Sequence, residues 1–230
     1  MMHYIPQFLN GAQLQQAHQY LSHATWADGR ASAGSLASQV KNNSQILPNS
    51  EASASLQSLV QAELDKSAPF MAIALPKKLS NLGFNRYSQT DNGAEFYGQH
   101  VDNAIRFNNE LGQRMRTDVS CTLFLSDPSS YSGGELVIQD GLVEHGVKLA
   151  AGDMLLYPSS TIHQVKPVTH GARLACFFWV ESMIRSNEQR HLLLDLDTTI
   201  RSLREQHGDS KEVLSLTAIY HNLLRQWLDS

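Results

Sequence analysis

A histidine and an aspartate lie one residue apart, at His100 and Asp102, in the stretch EFYGQHVDNAIRF. The stretch is predicted to be a strand, in which residues i and i+2 point to the same face of the sheet. Both side chains could then bind one metal ion. An isolated pair of this kind also arises by chance from two ordinary polar side chains, so a metal site requires a further ligand.

The best candidate for that ligand is His163, in the stretch GDMLLYPSSTIHQVKPV. The Gly-Asp pair indicates a turn, MLLYP a strand and SST a second turn, so His163 is predicted to open the next strand. Two histidines and one carboxylate occupy one face of an octahedron and leave three positions open, as in non-haem Fe(II) oxygenases. The three residues therefore predict a metal site to which a substrate or oxygen could also bind.

Arg173 follows in the stretch GARLACFFWVE. The apolar run directly after it predicts a central strand, which would direct the guanidinium into a largely apolar interior. A buried arginine is costly without a partner, so this one should meet a carboxylate. The alternative is a surface arginine on an edge strand.

The elements that must position these residues fall into three regions. Residues 71–181 contain short β-rich runs separated by Gly, Pro, Asp, Asn and Ser clusters, which predict an antiparallel barrel or sandwich. Residues 1–70 combine helical patterns with a polar stretch interpreted as a loop. They are predicted to form an N-terminal helical flank of the β-rich catalytic domain at residues 71–181. Residues 182–230 are predicted to be a C-terminal helical extension, from apolar residues at helical spacing: Leu192, Leu196, Ile200 and Leu203, then Leu216, Ile219, Leu223 and Trp227. These helices either pack on the barrel or form a subunit interface, which would make the protein a homodimer.

Composition narrows the class of partner. A chain of 230 residues with a formal net charge of −4 and a pI near 6.2 has no broad basic field, which argues against a nucleic-acid or anionic-membrane binder. No apolar run approaches the roughly 18 residues that span a bilayer, and the first residues have no signal-peptide pattern. Cys121 and Cys176 lie in apolar runs and are expected to be buried free thiols. We therefore expect a cytoplasmic protein that reaches a small-molecule or peptidyl substrate through a pocket.

The same residues resemble a known family. His100-x-Asp102, His163 and Arg173, with SYSGGEL between them, are similar to the Fe(II)- and 2-oxoglutarate-dependent dioxygenases of the prolyl-4-hydroxylase superfamily, and most similar to the bacterial PKHD-type hydroxylases. The resemblance covers nearly the whole chain, from TWADGRASAG and VKNNSQ near its start to FFWVES. The four key positions match.

This resemblance implies a mainly β fold with flanking helices (α+β), whose core is a double-stranded β-helix, or cupin-like jelly roll. It implies Fe(II) held by His100, Asp102 and His163, and 2-oxoglutarate whose distal carboxylate pairs with Arg173 while its other end chelates the iron. It also implies O2 as the oxidant and L-ascorbate as the reductant of the iron. The implied reaction hydroxylates a substrate while 2-oxoglutarate is decarboxylated to succinate and CO2.

Further residues are candidates of a second rank. Tyr87 and Tyr97 could line the cosubstrate pocket, with the Tyr87 hydroxyl near a 2-oxoglutarate carboxylate as in relatives; the alternative is ordinary aromatic core. Asn85, Arg86 and the loop TDNGAEF are candidate substrate-side elements. The stretch KNNSQ could fold over the site or simply pack. His145 and His170 are interpreted as loop histidines rather than ligands.

Two other functions fit some of these residues. A cupin-type metalloenzyme could use two histidines and one carboxylate but has no need for Arg173. A non-catalytic sensor of iron or 2-oxoglutarate would use the same ligands without turnover. Release of succinate in the presence of Fe(II), 2-oxoglutarate and O2 separates a hydroxylase from both.

Overall fold

The computed structural model describes residues 2–32, 37–108 and 112–228, which contain five α-helices, three short 3-10 helices and sixteen strands. The helices are α1 (Gly11–Ser22), α2 (Glu51–Leu64), α3 (Ala68–Ala74), α4 (Asn187–His207) and α5 (Lys211–Trp227). The first strands are β1 (His3–Ile5), β2 (Trp26–Asp28), β3 (Lys41–Asn42), β4 (Ser44–Ile46), β5 (Pro76–Leu79), β6 (Gly83–Thr90), β7 (Gly93–His100) and β8 (Ile105–Asn108). The remaining strands are β9 (Gln113–Arg116), β10 (Val119–Phe124), β11 (Ser132–Gly133), β12 (Leu136–Asp140), β13 (Val143–Val147), β14 (Met154–Pro158), β15 (His163–His170) and β16 (Ala172–Ser182).

The long strands form two curled antiparallel layers. The first layer has the order β1-β14-β10-β16-β6-β4-β2, with β5 also paired to β16. The second has the order β3-β7-β15-β12-β13, with β11 paired to β15. The hairpin from β6 to β7 joins the layers, where Gln89 lies opposite Ala94. This arrangement is a jelly roll, which confirms the fold class that the sequence predicts.

The two faces of the first layer have different surroundings. On β16, Leu174, Cys176 and Phe178 pack toward the helices, whereas Arg173 and Trp179 face the space between the layers. This alternation follows from the two-residue period of a strand. We call the two sides the helix-facing face and the cavity-facing face.

Helices α1, α2 and α3 cover the helix-facing face. Each begins after a polar N-cap residue, Asn10, Ser50 or Ser67, whose side chain accepts a hydrogen bond from a backbone N–H of the first turn. Their apolar residues join one cluster with those of β10, β14 and β16. The sequence analysis begins its β-rich region at residue 71, which is wrong for residues 71–74. Ser67 caps a helix there, and this helix continues to Ala74.

Helices α4 and α5 pack on each other and on the end of β16. Their cluster contains buried Leu75, Ile184 and Leu193, with Tyr220, Leu223, Leu224 and Trp227 packed against it. Of the apolar positions predicted to pack, Ile200 is buried and Leu223 and Trp227 join the cluster, whereas Leu192 is 57% exposed and Ile219 is 47% exposed. A subunit interface on these helices stays a prediction, which the mass of the protein in solution can test.

Cys121 and Cys176 are buried free thiols, as expected, and burial raises the pKa of each. Within the described ranges, no helix has both the length and the apolar character needed to cross a membrane.

Candidate metal and cosubstrate site

The two candidate histidines meet at adjoining strand ends. His100 is the last residue of β7, His163 is the first residue of β15, and the two lie directly opposite each other in the antiparallel pairing. Their ring centroids are 4.2 Å apart. Asp102 lies in the loop after β7 rather than in a continuous strand, so the predicted i, i+2 strand geometry is wrong. The loop nevertheless returns its carboxylate to the imidazoles, and one ligand atom from each of the three residues lies within 4.8 Å of the others.

The histidines are held in the same orientation by their own backbone. The Nδ1 atom of His100 lies 2.8 Å from the carbonyl oxygen of Gly98, and that of His163 lies 2.9 Å from the carbonyl oxygen of Thr161. Because a carbonyl oxygen only accepts, each Nδ1 carries the hydrogen in a neutral ring. The Nε2 lone pairs are therefore available to a metal ion.

A short hydroxyl chain orients the carboxylate. The Ser120 hydroxyl donates to Oδ2 of Asp102 at 2.6 Å and lies 2.8 Å from the Ser159 hydroxyl. Since Ser120 has a single hydroxyl hydrogen, Ser159 supplies the hydrogen between the two serines. Both serines are buried, so this chain fixes the carboxylate without competition from water. The sequence analysis missed both, because isolated serines in strand-like runs give no signal.

The electrostatics of the site favour neutral imidazole. Burial, together with the nearby His163, lowers the pKa of His100 to about 4. The His100 ring is therefore unprotonated at neutral pH, which a metal ligand must be. Tyr97 stacks on it with ring centroids 3.6 Å apart, and burial raises the pKa of this tyrosine to about 12.

Arg173 lies buried on the cavity-facing face of β16, directly opposite Tyr87 of β6. Its guanidinium carbon lies 5.6 Å from the Tyr87 ring centroid and 5.2 Å from that of Phe124. No carboxylate in the described part of the chain forms an ion pair with it. Its Nε also has no hydrogen-bond partner there. A buried cation in this state fits a carboxylate that comes from a bound molecule.

The SYSGGEL stretch forms part of the wall around Arg173. Gly134 has a φ of +69°, and a Cβ atom at this position would lie 3.0 Å from the Tyr131 ring and 3.2 Å from Cδ of Arg173. Any larger residue would be strained there and would displace the arginine. The Tyr131 hydroxyl is buried without a hydrogen-bond partner in the described ranges. The glycine thus lets the backbone approach Arg173 closely.

One cavity of about 730 Å³, including its open mouth, contains all four key residues. Tyr87, Tyr97 and Asn85 also line it, and Tyr87 is buried with a raised pKa. Arg86 instead lies over the Trp26 ring, 4.7 Å from its centroid. The loop TDNGAEF forms the turn between β6 and β7 and the start of β7.

The KNNSQ stretch belongs to the cavity wall. It forms β3 and β4, where Lys41 pairs with Tyr97 and Gln45 pairs with Asn85, and both Lys41 and Gln45 line the cavity. The cavity also includes Arg106 and Trp179, which the sequence analysis did not select. Strands β3 and β4, of two and three residues, give no periodic signal, and the contact between Arg106 and Trp179 is distant in sequence.

His145 and His170 are exposed and lie on strands β13 and β15 rather than in loops. Neither belongs to the metal-ligand cluster of the described residues.

Comparison with known proteins agrees with this geometry. Residues 82–181 match the family model of the 2OG-Fe(II) oxygenase superfamily, and residues 187–229 match that of the PKHD-type hydroxylase C-terminal domain. A PKHD-type hydroxylase of Polaromonas sp. is 52% identical over 98% of both chains. PKHD-type hydroxylase YbiX of Escherichia fergusonii is 49% identical over 99% of both.

A solved prolyl hydroxylase of Trichoplax adhaerens, in complex with a peptide fragment of hypoxia inducible factor, has the same fold. Its TM-score is 0.56 at 15% identity, over 84% of this chain and 86% of that one. With relatives near 50% identity along its whole length, the chain belongs to the PKHD-type hydroxylases and is a 2-oxoglutarate-dependent dioxygenase.

Proposed function

We propose that the protein hydroxylates a C–H bond of a small-molecule or peptidyl substrate, with His100, Asp102 and His163 as the ligands of Fe(II) and Arg173 as the anchor of 2-oxoglutarate. The observation that carries the proposal is that a cluster of two histidines and one carboxylate shares a cavity with a buried arginine that pairs with no carboxylate of the described residues. A cupin-type metalloenzyme would need the first feature but not the second.

Bound Fe(II) supplies the chemistry of O2 activation, coupled to the decarboxylation of 2-oxoglutarate to succinate and CO2. The residues of the chain position the reactants. The Gly98 and Thr161 carbonyls hold the imidazoles with Nε2 toward the metal position, and Ser120 holds the carboxylate. A metal ion held by two histidines and one carboxylate would keep positions open for a 2-oxo acid and for oxygen.

The environment of Arg173 suits a dicarboxylic cosubstrate. A planar guanidinium can hold a carboxylate through two parallel hydrogen bonds, and the aromatic rings of Tyr87 and Phe124 keep the pocket poor in water. In this proposal the Tyr87 hydroxyl assists the same carboxylate. Burial raises its pKa, so it stays protonated and can donate.

L-Ascorbate enters the proposal as the reductant that returns oxidised iron to Fe(II), a role that requires no dedicated binding residue. It predicts that turnover slows progressively without ascorbate and recovers when it is added. A cytoplasmic location is also proposed, and two buried free thiols at Cys121 and Cys176 support a reducing compartment.

The test of this function is the cosubstrate affinity of Arg173 variants. Removing Arg173 leaves a buried carboxylate unpaired, which costs about 3–5 kcal/mol by analogy with broken buried ion pairs. Arg173→Ala should therefore weaken 2-oxoglutarate binding by about two orders of magnitude or more. Arg173→Lys should lie between, because it keeps the charge and loses the planar fork.

Fe(II) and 2-oxoglutarate binding are measured separately by anaerobic titration, with succinate release as a third readout. Arg114→Ala, at an exposed arginine on β9, is the matched control and should behave as wild type. Unchanged 2-oxoglutarate affinity in Arg173→Ala would remove the case for this cosubstrate. Binding of both ligands without succinate release, tested with cell extract as the source of substrate, would favour the sensor.

A further inference from the structure

Two carboxamide side chains lie side by side on the cavity-facing face of the first layer. Gln45 of β4 is directly opposite Asn85 of β6 in the antiparallel pairing. Both side chains line the cavity that also contains the metal-ligand cluster. Neither takes part in the proposed binding of metal or cosubstrate, so the pair is available to another group in the same cavity.

The pair lies next to the proposed cosubstrate anchor. Tyr87 and Arg173 form one cross-strand pair of β6 and β16, and Asn85 and Ala175 form the pair two residues along, about 7 Å away. The two proposed histidine ligands lie across the cavity, on the strands of the second layer. A group held by the carboxamides would therefore lie beside 2-oxoglutarate and face the metal position.

Aromatic rings flank the two carboxamides. Phe177 lies opposite Gly83, the cross-strand pair beyond Asn85, and its ring covers this glycine so closely that a Cβ atom there would lie 2.4 Å from Cζ of Phe177. Tyr87 lies on the other side of Asn85, and both rings line the cavity. A ligand held between them would be shielded from water, so its hydrogen bonds would count for more than at an exposed site.

Each carboxamide has a buried polar atom without a partner. Nε2 of Gln45 and Oδ1 of Asn85 have no hydrogen-bond partner among the described residues, and Asn85 is only 8% exposed. Buried polar groups are normally hydrogen-bonded, and leaving one without a partner is unfavourable. Two such side chains in one cavity fit a ligand that supplies the missing hydrogen bonds.

The chemistry of the pair indicates the kind of group that it binds. A carboxamide has no charge, and it offers an acceptor oxygen and a donor nitrogen that exchange places when the group turns by 180°. A carboxylate or a phosphate only accepts, and a hydroxyl donates and accepts through a single atom. An amide has its donor and its acceptor on separate atoms, so it can pair with one carboxamide on each strand.

We propose that Gln45 and Asn85 form an amide-recognition site for the primary substrate, in which one side chain donates to the amide oxygen and the other accepts from its N–H. The inference rests on the proposed function, because it places the substrate beside 2-oxoglutarate and across the cavity from the metal ligands. It restricts the substrate to molecules that have an amide, either a peptide bond or a carboxamide, near the C–H bond to be hydroxylated.

The test uses the full chain under anaerobic conditions, with Mn(II) in place of iron and saturating 2-oxoglutarate. The probes are N-methylacetamide, which represents a peptide bond, and acetamide, which represents a carboxamide. Methyl acetate has the shape of N-methylacetamide with an oxygen in place of the N–H, and propane-1,2-diol offers hydroxyls alone. Because a paramagnetic ion accelerates the relaxation of nuclei bound nearby, the methyl protons of each probe report its binding.

We expect saturable enhancement for at least one amide. Methyl acetate should bind about three- to tenfold more weakly, which is the effect of losing one neutral hydrogen bond. The amide that binds more tightly identifies the source, a peptide bond or a carboxamide. A response to propane-1,2-diol alone, or equal affinities for the better amide and methyl acetate, would overturn the inference.

Substitutions then assign the site. Gln45→Met and Asn85→Leu keep the approximate shape of each side chain and remove its hydrogen bonds, so each should weaken amide binding about three- to tenfold. The preference for the amide over methyl acetate should disappear in the variant that loses the acceptor, whereas a packing defect would weaken all probes alike. Gln139→Met on β12 and Asn222→Leu on α5 are matched controls at exposed positions and should behave as wild type.

Mn(II) and 2-oxoglutarate affinities are measured in the same wild-type and variant samples. If either ligand fails to bind to the wild-type protein, the proposed function is wrong and this inference falls with it. If both bind, the amide-recognition site alone is wrong in three cases: no amide responds, Gln45→Met and Asn85→Leu leave amide binding unchanged, or they weaken 2-oxoglutarate binding instead.

Discussion

The helix-facing and cavity-facing sides of the first layer are made by the same strands, yet they follow different rules. On β10, Cys121 and Leu123 face the helices and belong to a uniformly apolar cluster. Ser120 and Thr122 alternate with them and line the cavity. The helix-facing side serves close apolar packing, and the cavity-facing side positions polar groups. Substitutions on the helix-facing side should therefore change stability, whereas those on the cavity-facing side should change binding.

The largest effect is expected for Phe178→Ala on the helix-facing side. Phe178 is 1% exposed and packs edge-on against Phe70 of α3, so its removal leaves a cavity. The free energy of unfolding should fall by about 3–5 kcal/mol. Urea denaturation measures this, and Phe177→Ala, on the partly exposed opposite side, should cost less than half as much. Equal losses in the two variants would abolish the distinction between the faces.

Asp102→Ala tests the cavity side. This substitution removes one of the three proposed ligands, so Fe(II) affinity should fall at least about a hundredfold. Residues that only hydrogen-bond to a ligand typically cost tenfold to hundredfold in metal affinity when they are replaced. Iron-dependent turnover should be lost while the thermal transition of the metal-free protein stays close to wild type. Normal succinate production by this variant at low Fe(II) would contradict the assignment of Asp102 as a ligand.

The pH dependence of the metal-free protein sharpens the comparison, since the cavity side also contains titratable groups. The pKa of His100 is about 4 in the folded chain and about 6.5 when exposed, so the unfolded chain binds more protons between these values. The free energy of unfolding should be highest above pH 6.5 and fall by about 3 kcal/mol as the pH drops to about 4. Denaturation at a series of pH values measures this. His100→Gln should flatten the slope, whereas His145→Gln, at an exposed position, should retain it.

The smallest expected effect belongs to Ser120→Ala. Its hydroxyl orients Asp102 without contacting the metal position, so metal affinity should fall about tenfold. Ser120→Thr keeps the hydroxyl and should restore much of the loss. Mn(II) titration by electron paramagnetic resonance provides the measurement, and an affinity equal to wild type in the Ala variant would show that the carboxylate needs no such support.

Sequence patterns predict those strands and helices in which apolar residues recur at a regular spacing. The alternation in LACFFWV indicates a central strand, and the helical spacing near the end indicates α4 and α5. The exact buried stripe is less predictable, because it depends on where a helix docks; Leu193 rather than Leu192 is buried.

The sequence predicted only those residues of the candidate site whose type and order are themselves typical of metal and cosubstrate binding. His100, Asp102, His163 and Arg173 share one cavity, and these residue types in this order are distinctive. The polar groups around them are common residues whose meaning depends on contacts distant in sequence. Ser120 reaches Asp102, and Arg106 reaches Trp179, only after the sheet has formed.

The pairing of β1 with β14 has a consequence for synthesis of the chain. His3 lies opposite Leu156, and the Tyr4 hydroxyl and the Gln7 backbone N–H both donate to the Asp153 carboxylate, at 2.9 and 2.8 Å. A ribosome adding 5–20 residues per second needs about 8–30 s to make the roughly 150 residues between the two strands. Throughout that time residues 3–5 have no sheet edge to join. In the newly made chain β1 therefore stays without its native neighbour, and open to chaperones and proteases, until β14 has been made.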